Sequence, residues 1–132
     1  MDIPSPDSAA HRSGVTVVVA DDDAITSKLI ERQLGKLGYR VVIAGNGQAA
    51  VRAVMGEKPS LLLLDISMPG MTGFDVLERL KSMTGFPRPK VLVMSSGRDA
   101  EDVQRALELG ADDFLAKPFK PDDLLTRIHR FV

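Results

Sequence analysis

Three sets of side chains stand out for the chemistry their types allow. Asp21, Asp22 and Asp23 are consecutive acids, Asp65 is a single acid after four leucines, and Ser95 and Lys117 each follow a short apolar run. If the backbone brings these groups to one edge, the first problem is electrostatic. Carboxylates packed within a few ångströms repel and raise one another's pKa unless a cation sits among them. A hard divalent ion with oxygen ligands resolves that conflict, and Mg²⁺ suits an open site that keeps several waters and takes few carboxylates. Ser95 and Lys117 would then be donors lacking an obvious acceptor, which a phosphoryl group on a carboxylate would supply.

The elements that must position these groups can be read from apolar periodicity. Five short runs, Val15–Ala20, Arg40–Ala44, Leu61–Leu64, Lys90–Met94 and Asp113–Ala116, alternate with amphipathic stretches. The first, third and fourth are nearly continuous Val, Leu and Ile, as in strands covered on both faces. In the first amphipathic stretch Ile25, Leu29, Ile30, Leu34 and Leu37 recur at helical spacing and stop at Gly38, a C-cap candidate. A shorter helix is expected over Gln48–Met55, and Phe74, Leu77 and Leu80 mark a third. Asp99 can cap a fourth, with Val103, Ala106 and Leu107 facing inward and Gly110 ending it. Pro121 suits the first position of a fifth that carries Leu124, Leu125, Ile128 and Phe131. Regular alternation of this kind predicts an α/β domain with a parallel sheet and helices on both faces. Ligands in such sheets bind at the carboxyl ends of the strands, where Asp21–Asp23, Asp65, Ser95 and Lys117 all fall.

Composition excludes several other classes. The 132 residues fit one domain, and 44% hydrophobic with 27% charged residues is ordinary for a globular chain. A net charge of −1 without a basic block offers no electrostatic support for direct nucleic-acid binding. There is no cysteine, which removes disulfides, thiolate metal sites and thiol catalysis. No apolar run approaches the roughly 18 residues of a membrane span. Residues 1–14 hold Pro4, Pro6, Ser5, Ser8 and Ser13 but no apolar segment, so they read as a flexible tail rather than a secretory signal, followed by one domain over 15–132. The expectation is a soluble, cytoplasmic protein with no membrane contact.

At this point the chain resembles a known family. Val17-Val18-Val19-Ala20-Asp21-Asp22-Asp23, Leu61-Leu62-Leu63-Leu64-Asp65-Ile66-Ser67-Met68-Pro69-Gly70, Val91-Leu92-Val93-Met94-Ser95-Ser96 and Gly110-Ala111-Asp112-Asp113-Phe114-Leu115-Ala116-Lys117-Pro118-Phe119 look like the four signatures of response-regulator receivers, in order. The resemblance covers about Val15 to Val132. It implies a chemotaxis-regulator-like, flavodoxin-like doubly wound sheet of five parallel strands in the order 2-1-3-4-5 with five helices. It also implies two-component signalling rather than turnover catalysis. The chain would take a phosphoryl group from a histidine kinase or a histidine phosphotransfer protein and then switch its binding surface for an unknown output protein or domain.

Residue by residue, the resemblance makes Asp65 the phosphoacceptor. Asp22 would be a direct Mg²⁺ ligand, with Mn²⁺ able to substitute, and Asp21 would hold the metal mainly through water. Asp65 itself and the backbone carbonyl of Ser67 would complete the protein's share. Ser95 and Lys117 would bond phosphoryl oxygens, Ser95 with Phe114 would form the switch, and the Lys117–Pro118 peptide would be cis. The exposed face of the fourth and fifth helices is the implied partner surface. The sequence departs from the family in carrying Phe114 for a frequent tyrosine and Ser95 for a commoner threonine. Two residues beyond Asp65 and Ser95 stand Ser67 and Gly97, neither with an amide or carboxylate to orient an attacking water, so self-dephosphorylation is expected not to be especially fast.

Plainer readings compete at several positions. Asp23 directly precedes the first helix and reads as its N-cap, Asp112 and Asp113 as a solvated loop, and His11 and His129 as surface residues. Gly45-Asn46-Gly47-Gln48-Ala49-Ala50 imitates a dinucleotide fingerprint, with Asp65 some 20 residues on. It follows the second strand rather than the first, however, and leaves Asp21, Asp22, Ser95 and Lys117 unexplained, so it reads as a turn and a helix start. A haloacid-dehalogenase-like phosphatase would also use an aspartyl phosphate, Mg²⁺ and a lysine, but needs a second acid where this chain has Ser67. A receiver-like module that is never phosphorylated would have no need of the intact acid set.

Overall fold

The computed structural model describes residues 14–96 and 100–132. The tail residues 1–13 with His11, the proposed cap Asp99 and Gly97 lie outside the described residues. Five strands, β1 (Thr16–Ala20), β2 (Arg40–Ala44), β3 (Leu61–Asp65), β4 (Lys90–Ser95) and β5 (Asp113–Ala116), form one sheet in the order β2-β1-β3-β4-β5. Every pairing is parallel. The helices are α1 (Ala24–Gly35), α2 (Gly47–Glu57), α3 (Gly73–Ser82), α4 (Ala100–Glu108) and α5 (Pro121–Ile128).

The unbroken apolar strands follow from burial on both faces, with alternate side chains serving two cores. Val18, Ala20, Leu62, Leu64, Val91 and Val93 pack with Ala50, Val51 and Val54 of α2, Val76, Leu77 and Leu80 of α3, and Ala106 of α4. Val17, Val19, Leu61, Leu63, Leu92, Met94 and Leu115 pack with Ile30 and Leu34 of α1 and Leu124 and Ile128 of α5. Each of the four leucines of β3 is fully buried, a contribution of about 1.5–3 kcal/mol per side chain. Asp65 therefore rests on the most deeply held strand of the sheet.

Local signals account for the helix ends. The Asp23 carboxylate accepts the Ile25 N–H at 3.0 Å and the Thr26 hydroxyl at 2.8 Å, capping α1. Asn46 caps α2 by accepting the Ala49 N–H at 2.8 Å, and Thr72 and Asp75 form a reciprocal capping box on α3. Gly38 and Gly110 take positive φ, 91° and 109°, just after α1 and α4.

Three expectations need correction. Ile25 and Leu29 do not face the core: they are 73% and 55% exposed, because the inward face of α1 runs through Ser27, Ile30 and Leu34. Leu107 is likewise exposed, and Ala106 is the buried residue of α4. Asp112 is an exposed loop residue, as expected, but Asp113 is not: it is half-buried in β5. Asp112 accepts the Val91 N–H at 2.8 Å, and Asp113 opens β5 while pairing with Arg127 at 3.0 Å and Arg130 at 3.3 Å.

Candidate functional site

Strand register sets the site. Ala20 lies opposite Leu64, so the next residues, Asp21 and Asp65, leave neighbouring strands side by side. Asp65 pairs with Met94 and Ser95 with Ala116, which places Ser95 one step and Lys117 two steps farther along the same edge. The structure brings carboxylate oxygens of Asp21, Asp22 and Asp65 within 4.8 Å of one another. Asp21 and Asp65 are buried, and Asp22 is exposed at the rim.

Each buried carboxylate is held by backbone donors. The Asp23 N–H donates to Asp21 Oδ1 at 2.9 Å, and the Ser67 N–H donates to Asp65 Oδ1 at 2.9 Å. Burial raises the Asp65 pKa, and the Asp21 and Asp22 charges push it the same way. The Ser67 N–H and the Lys117 charge oppose the shift without cancelling it. Lys117 Nζ donates to Asp21 Oδ2 at 2.7 Å and lies 3.6 Å from Asp65 Oδ2. Burial works against its charge, yet the bond to Asp21 and the charges of Asp65 and Asp21 prevail and hold its pKa above the ordinary lysine value. The lysine is thus not a donor without an acceptor, as its sequence position suggests; its main partner is Asp21. Asp23 sits apart as the cap of α1, its pKa held below the usual carboxylate range by the Thr26 hydroxyl and the Ile25 N–H.

Three acids and a lysine around one spot form an oxygen-rich cluster that could bind a metal ion, the donor set a hard divalent ion takes. The Ser67 residue is exposed on the loop after β3, beside Asp65. Ser95 is buried at the end of β4, and its carbonyl accepts the Lys117 N–H at 2.7 Å. The Lys117–Pro118 peptide is cis. Phe114 is half-buried on β5, with the Arg127 guanidinium 5.8 Å from its ring centroid. Arg127 is itself fixed by Asp113. Sequence reasoning does not single out Ser27, whose buried hydroxyl donates to the Asp21 carbonyl at 3.4 Å. Its position four residues after the Asp23 cap, on the inward face of α1, is the available signal.

Residues 17–129 match the family model of the response regulator receiver domain. The chain belongs to that family. Among relatives, this receiver is similar to the DNA-binding response regulator MtrA of Mycobacterium tuberculosis (strain ATCC 25618 / H37Rv), 38% identical over 112 residues that make up 85% of this chain and 48% of the relative. The receiver spans about half the length of such relatives, and the DNA binding in MtrA's name belongs to a protein about twice as long. The expected absence of direct nucleic-acid contact draws no support from it. Among solved structures, the signal receiver domain of a response regulator from Bermanella marisrubri has a TM-score of 0.81 at 40% identity, covering 88% of this chain and 96% of that one. The chemotaxis protein CheY4 of Vibrio cholerae has a TM-score of 0.79 at 28% identity, covering 89% and 98%. Among the described residues no helix is long and apolar enough to cross a membrane.

Proposed function

We propose that this receiver takes a phosphoryl group from a phosphohistidine donor, a histidine kinase or a histidine phosphotransfer protein, onto Asp65 in a Mg²⁺-dependent reaction. The observation that carries this reading is the convergence of Asp21, Asp22, Asp65 and Lys117 at one edge of the sheet. Asp22, Asp65 and the Ser67 carbonyl would hold the ion directly and Asp21 mainly through water, with Mn²⁺ able to replace Mg²⁺. A bound divalent ion would polarise the phosphoryl oxygens and offset their repulsion with the acids. A carboxylate oxygen of Asp65 attacks phosphorus, the P–N bond of the donor breaks, and its electron pair stays on the imidazole nitrogen. Such transfer asks the protein mainly for positioning and charge stabilisation.

Lys117 and Ser95 act on the product. Lys117 lies between Asp21 and Asp65 and can exchange its bond to Asp21 for one to a phosphoryl oxygen. A charge-assisted bond from the Ser95 hydroxyl to the phosphoryl group would contribute about 1.5–3 kcal/mol, roughly one to two decades of population shift. That is enough for Ser95 to move inward and Phe114 to follow, which alters the surface near α4 and α5 for an output partner. The domain acts on itself rather than turning over substrate, in the cytoplasm.

The donor has an apolar landing beside the acids. Leu29, Ile30, Pro118 and Phe119 line a cavity of about 360 Å³ that reaches Lys117, and exposed Ile25 extends the same surface. Incubation with phosphoramidate, which carries the same P–N bond, and Mg²⁺ tests the chemistry. An alkali-labile, hydroxylamine-labile phosphoryl on the parent that is missing from Asp65→Asn is the expected outcome; none on the parent, or equal labelling of both, overturns the reading.

A further inference from the structure

The loop between β3 and α3, residues 66–72, supplies both the Ser67 carbonyl and the Ser67 N–H that holds Asp65 Oδ1 at 2.9 Å. Its depth in the fold therefore sets part of the acid site's geometry. Ile66 and Met68 are buried, and the Ile66 N–H donates to the Met94 carbonyl at 3.1 Å. Two glycines limit where the rest of the loop can lie. A Cβ on Gly73 would stand 2.5 Å from Ile66 Cα and 2.7 Å from the Asp65 carbonyl oxygen. A Cβ on Gly47, at the start of α2, would stand 2.6 Å from the Met71 carbonyl oxygen and 2.8 Å from its Cβ.

Neither glycine is among the positive-φ residues, so the requirement at both is space rather than backbone conformation. At Gly73 the two nearest obstructing atoms are backbone, and at Gly47 the nearest is the Met71 carbonyl oxygen with Cβ and Cγ of the same residue beside it; backbone atoms and a Cβ cannot rotate away. Gly73 also donates its N–H to the Ile66 carbonyl at 3.2 Å, so the start of α3 is seated on the backbone beside the acid itself. Gly45, by contrast, has open space where a Cβ would stand, with nothing within 4 Å. The second glycine of the dinucleotide-like Gly45-Asn46-Gly47 thus serves a close backbone approach, but to a neighbouring loop rather than to a pyrophosphate.

We propose that Gly47 and Gly73 are positioning residues for the acid site, holding loop 66–72 at the depth where Ser67 meets Asp65 and a divalent ion. This rests on the proposed function above. A Cβ at either place pushes the loop outward and carries Ser67 with it. The test is Mn²⁺ binding to the full chain, read by the electron paramagnetic resonance signal of free ion, for the parent and for Gly45→Ala, Gly47→Ala and Gly73→Ala. Gly45→Ala should match the parent, while the other two should bind about tenfold more weakly, the scale seen when groups orienting metal ligands are lost. A residue that only supports the fold would lower the metal-free melting temperature and leave ion affinity unchanged.

Parent-like affinity in both folded variants would overturn the inference. So would failure of both to fold, since the two positions would then serve the fold and not the site. If one fails to fold, the affinity of the other decides. A parent that binds no Mn²⁺ would instead refute the proposed function, before any variant is made.

Discussion

Asp65 combines burial, two neighbouring acids and a single lysine, and each of these has a measurable consequence. Burial first, then Asp21 and Asp22, raises its pKa in the folded chain above the ordinary carboxylate value. A raised carboxyl destabilises the fold at pH above its folded pKa, and that penalty disappears as pH falls below the unfolded value. In EDTA, Asp65→Asn should therefore be more stable than the parent at neutral pH, on the order of 1 kcal/mol. The difference should shrink toward zero on acidification; denaturant melts across pH check this. Lys117→Met should leave Asp21 buried without its 2.7 Å partner and remove the cation beside Asp65. Phosphorylation of that variant by a small donor should slow by about two decades, the scale of losing one preorganised charge-stabilising donor. An unchanged rate would assign the lysine to structure alone. The identity of the acids, the hydroxyl and the lysine is legible in the sequence because each follows an apolar run. The Asp21–Lys117 pairing is not, since residues so far apart in the chain disclose no partner until strand register is known.

At the scale of elements, the strands are legible because double-sided burial leaves continuous Val and Leu runs, and helix starts such as the Asp23 cap and the first-turn Pro121 announce themselves by type. The inward face of α1 is not legible in the same way. Ser27, Ile30 and Leu34 are spaced by three and four and form the buried stripe, while Ile25 and Leu29 form a second stripe on the exposed side. Periodicity alone cannot say which of two apolar stripes meets the sheet. The exposed one lies beside the acid site, so Leu29→Asp should slow phosphoryl transfer from a protein donor by about tenfold or more, as loss of a buried anchor does. Transfer from acetyl phosphate should be unchanged; an equal effect on both donors would mean that the substitution disturbs the site itself. In β3, Leu63→Ala should cost about 2–5 kcal/mol in a urea melt. Arg127 links α5 to Phe114 and Asp113 on β5, a connection that the type and position of Arg127 alone do not signal.

For the whole molecule, family membership and the five-stranded topology explain why four separate strand tips form one site: parallel strands all deliver their carboxyl ends to the same edge. A divalent ion that binds only this assembled edge must stabilise the fold, by about 2.7 kcal/mol when present at a hundredfold excess over its dissociation constant. Mg²⁺ should raise the melting temperature of the parent and do so far less for Asp65→Asn. Ser67 on the loop after Asp65 offers no amide or carboxylate to orient water, so the phosphoryl group should outlast minutes at neutral pH, and decay within seconds would contradict this. The most direct measurement is the intact mass of the chain after incubation with acetyl phosphate. One phosphoryl group should add to the parent in Mg²⁺, and none in EDTA or on Asp65→Asn. Addition that is indifferent to the metal, or that persists without the Asp65 carboxylate, would contradict a phosphoacceptor assembled around a divalent ion.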